Sequence, residues 1–238
     1  MAGRVAYYGG IVKDGLVLNL DAAKRDSYPG TGTTWRDISG NQLTGSLVNG
    51  PTFNPDNGGS IVFDGSNDYI STTIPTVRSL TGTRSSISIW FRAVNTTTRG
   101  VLIADWDSTG GPLTCRLEIS GFLLSSRTIG GNINSPGGAV TPIQSTTLLL
   151  NNTWYNVVIQ YDGTNSTLYL NGNLEASLVT TERGSNPTGN NSVSIGRGGA
   201  FNGLYLNGNI AQTLIYNRAL TAQEVLQNYN ATKGRFGL

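Results

Sequence analysis

The sequence predicts an all-β chain in which two antiparallel sheets pack face to face. A β-hairpin spans residues 154–172, where two arms alternate apolar and polar residues around the turn at residues 162–165. Short runs of β-branched and aromatic residues recur along the chain, and Gly, Asn, Ser, Thr and Pro separate them. Only one segment, near the C-terminus, carries strong helix signals. So many short strands favour a sandwich of two sheets.

The strand candidates are short runs with period-two alternation or β-branched and aromatic enrichment. They are residues 16–20, 61–63, 69–71, 86–93, 101–104, 116–120, 155–161, 167–170, 192–195 and 210–216. In the hairpin, the alternation puts Tyr155, Val157 and Ile159 on one face, which predicts one buried and one solvated side. In the last candidate, strict alternation would place Ile210 and Leu214 on the same face.

The helix signal begins at Thr221. Thr221 and Glu224 have the spacing of a capping box, in which each side chain satisfies a backbone amide of the other residue. Residues 128–138 and 184–208 are rich in Gly and Asn, which tolerate left-handed backbone, so we expect loops there. The second segment is long enough for either a functional rim or a structural crossover.

Composition excludes several function classes. The 238 residues fit one domain with a substantial core, and no apolar run approaches the roughly 20 residues of a membrane span. The net charge is +2 and the basic residues are dispersed, which argues against nucleic-acid binding. Histidine is absent, which removes the commonest general base. The N-terminus lacks the apolar core of a secretory signal, so we expect synthesis in a cytoplasm.

The single cysteine excludes an internal disulfide. Cys115 begins an alternating strand-like run, so a small buried hydrophobic side chain is the favoured interpretation and a reactive thiol is the alternative.

Several phrases spread from residue 15 to residue 231 carry a family resemblance. They are Gly15-Leu16-Val17, Leu20-Asp21-Ala22, Ile61-Val62-Phe63-Asp64-Gly65, Asn67-Asp68-Tyr69-Ile70, Ser88-Ile89-Trp90-Phe91, Leu168-Tyr169-Leu170-Asn171-Gly172, Ile195-Gly196 and Gly208-Asn209-Ile210. In this order they resemble the concanavalin A-like lectin/glucanase superfamily, in particular its laminin G-like jelly-roll branch. The resemblance implies a two-sheet antiparallel jelly-roll β-sandwich with one short C-terminal helix. We therefore expect a lectin-like domain at 15–232, an N-terminal arm at 1–14 and a C-terminal tail at 233–238.

The segments at 21–65 and 229–238 further resemble variants of this domain in structural proteins of tailed bacteriophages. That resemblance implies a virion protein made in the host cytoplasm, most simply a capsid decoration protein or a tail or fibre component. Its partners would be copies of itself, phage capsid or tail proteins, and cell-surface glycans. A carbohydrate-binding lectin, with or without calcium, is the alternative function.

An enzymatic role is not expected. Glycoside hydrolysis needs two carboxylates about 5 to 9.5 Å apart, and the E-x-D-x-x-E pattern of the glucanase branch is missing from this chain. Asp105 and Asp107 would share a face of an extended segment, and they are the remaining candidate pair.

Two acidic clusters have the hard oxygen ligands that Ca²⁺ prefers. Asp64 and Asp68 form one cluster, and Asp105 and Asp107 form the other, which reproduces the opening of a calcium loop without its final glutamate. The alternative interpretation is that these carboxylates make hydrogen bonds within turns. No other cofactor is expected.

The remaining candidates concern recognition. Glycan binding typically uses an aromatic ring beside amide or carboxylate groups, and the candidate residues are Trp106, Phe201, Asn202 and Tyr205, with core or interface packing as the alternative for Trp106. Arginine and aromatic residues in the two terminal segments could anchor docking arms. These residues are Arg4, Tyr7, Tyr8, Arg235 and Phe236. Pairing of the N-terminal segment with an edge strand of its own domain is the alternative.

Overall fold

The computed structural model describes residues 9–74, 77, 79, 84–105, 115–121, 125–133, 142–180, 192–198 and 204–238. These residues form two antiparallel sheets, which we call the first and the second sheet. The first sheet contains β1 (Leu16–Asp21), β4 (Thr52–Asn54), β5 (Ser60–Asp64), β7 (Ser85–Ala93), β12 (Trp154–Tyr161), β13 (Asn165–Leu170), β14 (Asn173–Val179) and β16 (Asn207–Tyr216). The second contains β2 (Thr34–Arg36), β3 (Thr44–Val48), β6 (Tyr69–Thr72), β8 (Gly100–Ala104), β9 (Cys115–Ile119), β10 (Ile129–Ile133), β11 (Ile143–Gln144) and β15 (Ser194–Ile195).

Strand order follows from the pairings. The first sheet runs β14-β13-β12-β7-β16-β5-β4, and β1 also pairs with β16. The second sheet runs β11-β10-β9-β8-β15-β6-β3-β2. The predicted jelly-roll sandwich is confirmed, and every strand predicted from the sequence overlaps an observed one.

The main core fills the space between the sheets. The alternation of the hairpin is confirmed, because Tyr155, Val157 and Ile159 all join this core together with Trp35 and Cys115. Burial raises the pKa of the Cys115 thiol well above its usual value. The expected buried hydrophobic role of this cysteine is therefore confirmed, and the thiol is not activated.

The outer face of the first sheet is covered as well, which corrects the expectation of a solvated side. Helix α1 (Ala222–Thr232) packs there on a second apolar cluster that includes Val158, Tyr169 and Val225. The predicted capping box begins α1: the Thr221 side chain accepts from the Glu224 amide, and the Glu224 carboxylate accepts from the Thr221 amide.

The alternation predicted for the last strand is wrong, because β16 contains a bulge. Its pairing with β7 shifts register between Ile210 and Gln212. Ile210 therefore faces the main core, whereas Leu214 faces the cluster under α1. A bulge adds one residue to one strand and so exchanges the faces of the residues beyond it.

One segment expected to be a loop contains an additional strand. Strand β10 lies within 128–138, whereas β15, within 184–208, overlaps the strand predicted at 192–195. The glycines of β10 are required by close packing: a Cβ on Gly130 would overlap the Ile143 carbonyl oxygen, and one on Gly131 would overlap the Arg116 carbonyl oxygen. Here glycine signals close approach of neighbouring backbones and not a turn.

The described parts of both predicted arms pack on the domain. The Val12 amide donates to Asn228 Oδ1 of α1 over 2.8 Å, and the Tyr216 hydroxyl donates to the Val12 carbonyl over 3.1 Å. At the other end, a 3-10 helix (Lys233–Phe236) places Phe236 on the first sheet. No helix among the described residues is long and apolar enough to span a membrane.

Candidate functional site

The outer face of the second sheet carries a row of small and polar side chains. Strand register aligns one residue from each of seven neighbouring strands, and alternation with core residues directs them away from the main core. The row consists of Thr34, Ser46, Ser71, Ser194, Ala104, Arg116 and Asn132. All members except Ala104 are polar, and Ser194, Ala104 and Asn132 are buried, so the rigid sheet holds these hydrogen-bonding groups in fixed positions.

A charged cluster adjoins this row on β9. Glu118 is fully buried, and its Oε2 accepts a hydrogen bond from Arg99 Nε over 2.7 Å. Its Oε1 lies 3.1 Å from Arg116 Nε, an ion pair without hydrogen-bond geometry. Burial lowers the pKa of Arg116, and the nearby Glu118 carboxylate opposes that shift. Two arginines around one carboxylate leave a surplus of positive charge.

The same face concentrates buried polar atoms that have no hydrogen-bond partner. Four of the nine such atoms among the described residues belong to it: Arg116 Nε, Glu118 Oε1, Asn132 Oδ1 and Arg197 Nε. A buried donor or acceptor without a partner costs about 1–3 kcal/mol. Such groups are therefore expected to bind a polar ligand or ordered water.

An aromatic ring completes the face. The Arg197 guanidinium carbon lies 3.7 Å from the centroid of the Tyr69 ring, which is a cation–π contact. Tyr69 lies on β6 next to Ile70, which faces the core, so Tyr69 points outward. The Arg197 Nη2 atom also donates to Ser194 Oγ over 3.4 Å, which joins this pair to the polar row.

The first predicted metal cluster is a hydrogen-bonded turn in this structure. Asp64 Oδ1 accepts from the Ser66 and Asn67 amides at 2.7 and 3.3 Å. Asp68 Oδ2 accepts from the Asp64 amide over 3.1 Å. The hydrogen bond from Ser66 holds the pKa of Asp64 below its usual value, whereas burial raises that of Asp68. Within the described chain, no three His, Cys, Asp or Glu side chains are grouped as metal ligands.

The second predicted metal cluster is described only in part. Asp105 is fully buried, and its two oxygens accept from the Cys115 amide at 2.7 Å and the Val77 amide at 3.1 Å. The carboxylate thus joins two separate segments of the chain. Asp107 lies outside the described residues. Calcium binding at either cluster stays a prediction, and so does the expectation that this pair is not catalytic.

The predicted glycan residues are mostly outside the described residues, which leave out Trp106, Phe201 and Asn202. Tyr205 is partly buried and forms an isolated β-bridge with Arg197. It lies beside Gly100, at the start of β8. Asp105, which precedes Trp106, follows the other end of the same strand. Gly100 and Asp105 are five residues apart along the chain, which is roughly 17 Å at about 3.3 Å per residue of extended strand.

The described members of the predicted interface make contacts inside the domain. Phe236 stacks on Trp90 with ring centroids 4.2 Å apart, and it is 4.6 Å from Trp154. Arg235 Nη1 pairs with Asp21 Oδ1 at 2.9 Å. Contacts of these residues with a partner stay a prediction. Arg4, Tyr7 and Tyr8 lie outside the described residues.

Sequence reasoning missed most of the polar face. Ser71, Ser194 and Arg116 lie in predicted strands, but their alignment depends on pairing between strands far apart in the chain. A signal did exist, since each is the polar member of an alternating pair with an apolar neighbour. What the sequence could not supply is the strand order that brings these residues into one row.

A family model for the concanavalin A-like lectin/glucanases superfamily matches residues 64–226. This segment is more than half of the chain, and it extends from the end of β5 into α1. Among curated proteins the chain has no match.

Solved structures with a similar fold include domains from larger proteins. The receptor binding domain of botulinum neurotoxin type G is 18% identical with a TM-score of 0.65, and the match covers 91% of this chain and 51% of that one. The binding domain of Paraclostridial mosquitocidal protein 1 is 19% identical with a TM-score of 0.68, covering 92% and 52%. Trypanosoma rangeli sialidase is 17% identical with a TM-score of 0.66, covering 93% and 33%. This chain therefore corresponds to about half, or a third, of those chains, and the likeness concerns the fold.

Proposed function

Because the chain belongs to the concanavalin A-like lectin/glucanase superfamily, we propose that it is a recognition module that binds a glycan on the outer face of the second sheet. The observation that carries this proposal is the concentration of unpartnered buried polar atoms beside the polar row. Two of these atoms, Arg116 Nε and Glu118 Oε1, form an ion pair with each other. Glycan hydroxyl groups both donate and accept hydrogen bonds, so one ligand that contacts the partly exposed Arg197 side chain could pair with it and with the Asn132 oxygen.

The charge and shape of the face fit the same ligand class. Arg99, Arg116 and Arg197 outnumber the single carboxylate of Glu118, which favours glycans with an acidic group. The partly exposed Tyr69 ring, one face of which is covered by the Arg197 guanidinium, adds an aromatic group beside these polar groups. Two of the similar structures are binding domains, one of them a receptor binding domain, and this agrees with a recognition role.

A glycan array followed by titration calorimetry tests the proposal. We expect binding to a subset of glycans, and Asn132→Ala and Arg197→Gln each to weaken it about tenfold, the loss of one or two hydrogen bonds. Arg25→Gln is the matched control, because Arg25 is exposed in a loop away from this face. Full binding by both face variants, or no binding to any glycan, would contradict the proposal.

We further propose that the module is part of a bacteriophage particle, as a capsid decoration protein or a tail or fibre component. The sequence resemblance of the segments at 21–65 and 229–238 supports this role. One structural observation also favours assembly: edge strand β14 exposes Leu174, Leu178 and Val179. Thr146 and Thr147 donate to the Glu175 carboxylate, so the segment with exposed Leu148 runs beside β14.

Exposed apolar residues on a sheet edge favour contact with another chain. We expect light scattering to show self-association, or a co-sedimentation assay to show binding to phage capsid or tail protein. The double variant Leu174→Lys with Val179→Lys should abolish this association. Leu238→Lys is the control, because Leu238 is an exposed apolar residue outside β14, and it should not change the association. A wild-type chain that stays monomeric and binds neither capsid nor tail protein would exclude this role.

A further inference from the structure

A cavity of about 310 Å³ lies on the opposite side of the molecule from the polar face. Its walls come from the N-terminal segment, from the outer side of β1 and β16, and from the end of α1 and the 3-10 helix. Hydrogen bonds fix these walls: Gln227 Nε2 donates to the Gly10 carbonyl over 3.0 Å, and Arg235 Nη1 pairs with Asp21. The volume is at the lower limit of ligand pockets, which suits a ligand of about monosaccharide size.

The charged groups of the cavity are unevenly paired. The sequence has three lysines, and two of them, Lys13 and Lys24, line this cavity. Both are exposed, and neither pairs with a carboxylate of the described residues. Among the described residues of the wall, Asp21 is the one acidic side chain, and it is already engaged: Oδ1 accepts from Arg235 and the Ala23 amide, and Oδ2 accepts from Gln212. The unpaired charge around the cavity is therefore positive.

Asn19 adds an uncharged hydrogen-bonding side chain to the wall. Asn19 lines the cavity and is only 3% exposed, and its Oδ1 has no hydrogen-bond partner. Its backbone is fully used, because the amide donates to Asp37 and the carbonyl accepts from Ile38. Because this oxygen is out of contact with solvent, a ligand in the cavity would meet the amide nitrogen of Asn19, which can donate to an anionic or hydroxyl oxygen.

From these observations we propose that the cavity binds a small hydroxylated anion, a sugar acid or a sugar phosphate of one ring. The two ammonium groups attract the anionic group, and the amide of Asn19 takes a hydroxyl. A cation does not fit, because both Asp21 oxygens are used inside the wall. This site is separate from the glycan face and does not depend on the function proposed for it.

Lysine methyl resonances give a direct test, since the chain has only three lysines. Reductive ¹³C-methylation keeps each positive charge, and D-glucuronate, glucose 6-phosphate and neutral glucose are then titrated. We expect saturable shifts of the Lys13 and Lys24 signals with at least one anion, with a Kd on the order of 1 mM for a ligand this small. Glucose should cause no shift of these signals. The anion that binds with the lower Kd shows whether the site prefers a carboxylate or a phosphate group.

Variants separate this site from the rest of the surface. Lys13→Gln with Lys24→Gln should weaken anion binding at least tenfold, whereas Lys233→Gln is the matched control, because Lys233 lies over the Tyr229 ring. Arg197→Gln should also leave the affinity for the anion unchanged, and this result would distinguish the cavity from the glycan face. The proposal is overturned if neither anion gives saturable shifts, if Lys233 shifts equally, or if the double variant keeps its affinity.

Discussion

At the scale of single residues, the glycines of β10 show how strongly one missing side chain can matter. Gly130 and Gly131 lie on β10 between β9 and β11, and a Cβ at either position would overlap a carbonyl oxygen of a neighbouring strand. The polar row depends on this spacing, because Asn132 follows directly on the same strand. Packing of the backbone thus determines where a candidate ligand-binding side chain lies.

We expect Gly130→Ala to lower the free energy of unfolding by about 1–3 kcal/mol, since the new methyl group forces β10 and β11 apart. Gly234→Ala is the matched control, because a Cβ there meets no atom within 4 Å. Urea denaturation of both variants measures the difference. Equal stability of Gly130→Ala and wild type would show that β11 yields without cost.

The Glu224 carboxylate links stability to pH. Hydrogen bonds from Arg218, at 2.6 and 2.8 Å, lower its pKa from 4.5 to about 2. Because the folded pKa is below the unfolded one, this stabilisation is complete above about pH 4.5 and is lost as the pH falls toward 2. The pair is partly exposed, so solvent screening reduces its contribution to about 1 kcal/mol.

Glu224→Gln should therefore destabilise the protein by about 1 kcal/mol at pH 7 and by much less near pH 2.5. Glutamine can still accept from the Thr221 amide, so the helix cap is retained and only the ion pair with Arg218 is lost. Urea denaturation at the two pH values gives the comparison. A difference that is the same at both pH values would contradict an ionic origin.

At the scale of elements, the C-terminal 3-10 helix closes the outer face of the first sheet. Phe236 is 9% exposed and lies between Trp90 and Trp154, while Arg235 donates to the Asn57 and Gly59 carbonyls. Trp90 Nε1 donates to Thr232 Oγ1 over 2.8 Å, so the end of α1 is tied to the same ring. This short element therefore stabilises the contact between α1 and the sheet.

Phe236→Ala should cost about 3 kcal/mol, the usual range for removing a buried phenylalanine. It should also change the fluorescence of the folded state, because Trp90 and Trp154 lose their aromatic neighbour. Leu238→Ala is the control, because this side chain is exposed and its removal should matter by less than about 0.5 kcal/mol. If both variants unfold at the same urea concentration, the packing of Phe236 contributes nothing.

The sequence predicted elements well where local pattern and tertiary role agree. The hairpin of β12 and β13 is such a case: Asp162 Oδ1 accepts from the Thr164 and Asn165 amides and closes the turn, while the arms alternate as expected. Strand β10 was missed because its glycines serve close packing. Edge strand β14 was missed because, with both of its faces largely exposed, it lacks a strong apolar pattern.

The candidate sites were harder to predict than the elements. Glu118 was not among the candidate residues, because its contact with Arg99 requires the pairing of β8 with β9. Lys13 and Asn19 meet Arg235 only after β1 has paired with β16 and the C-terminus has folded back. Such groupings depend on sheet topology, which local sequence patterns do not encode.

At the scale of the whole molecule, β16 joins parts of the chain that are far apart. It pairs with β1, β5 and β7, and the residues C-terminal to it form the cover of the first sheet. The first sheet therefore remains incomplete until the last quarter of the chain is in place. Folds dominated by such distant pairings fold slowly, in milliseconds to seconds.

This topology predicts different outcomes for two truncations of the chain. A chain that ends at residue 206 lacks β16 and α1, so β1, β5 and β7 lose their shared neighbour, and we expect no cooperative unfolding in urea. A chain that ends at residue 232 lacks only the 3-10 helix, so it should fold and unfold in one transition at lower urea concentration. Circular dichroism and tryptophan fluorescence should give coincident curves for the longer truncation and for the full chain. Cooperative unfolding of the shorter truncation would mean that the second sheet and the remaining strands can form a stable core without β16.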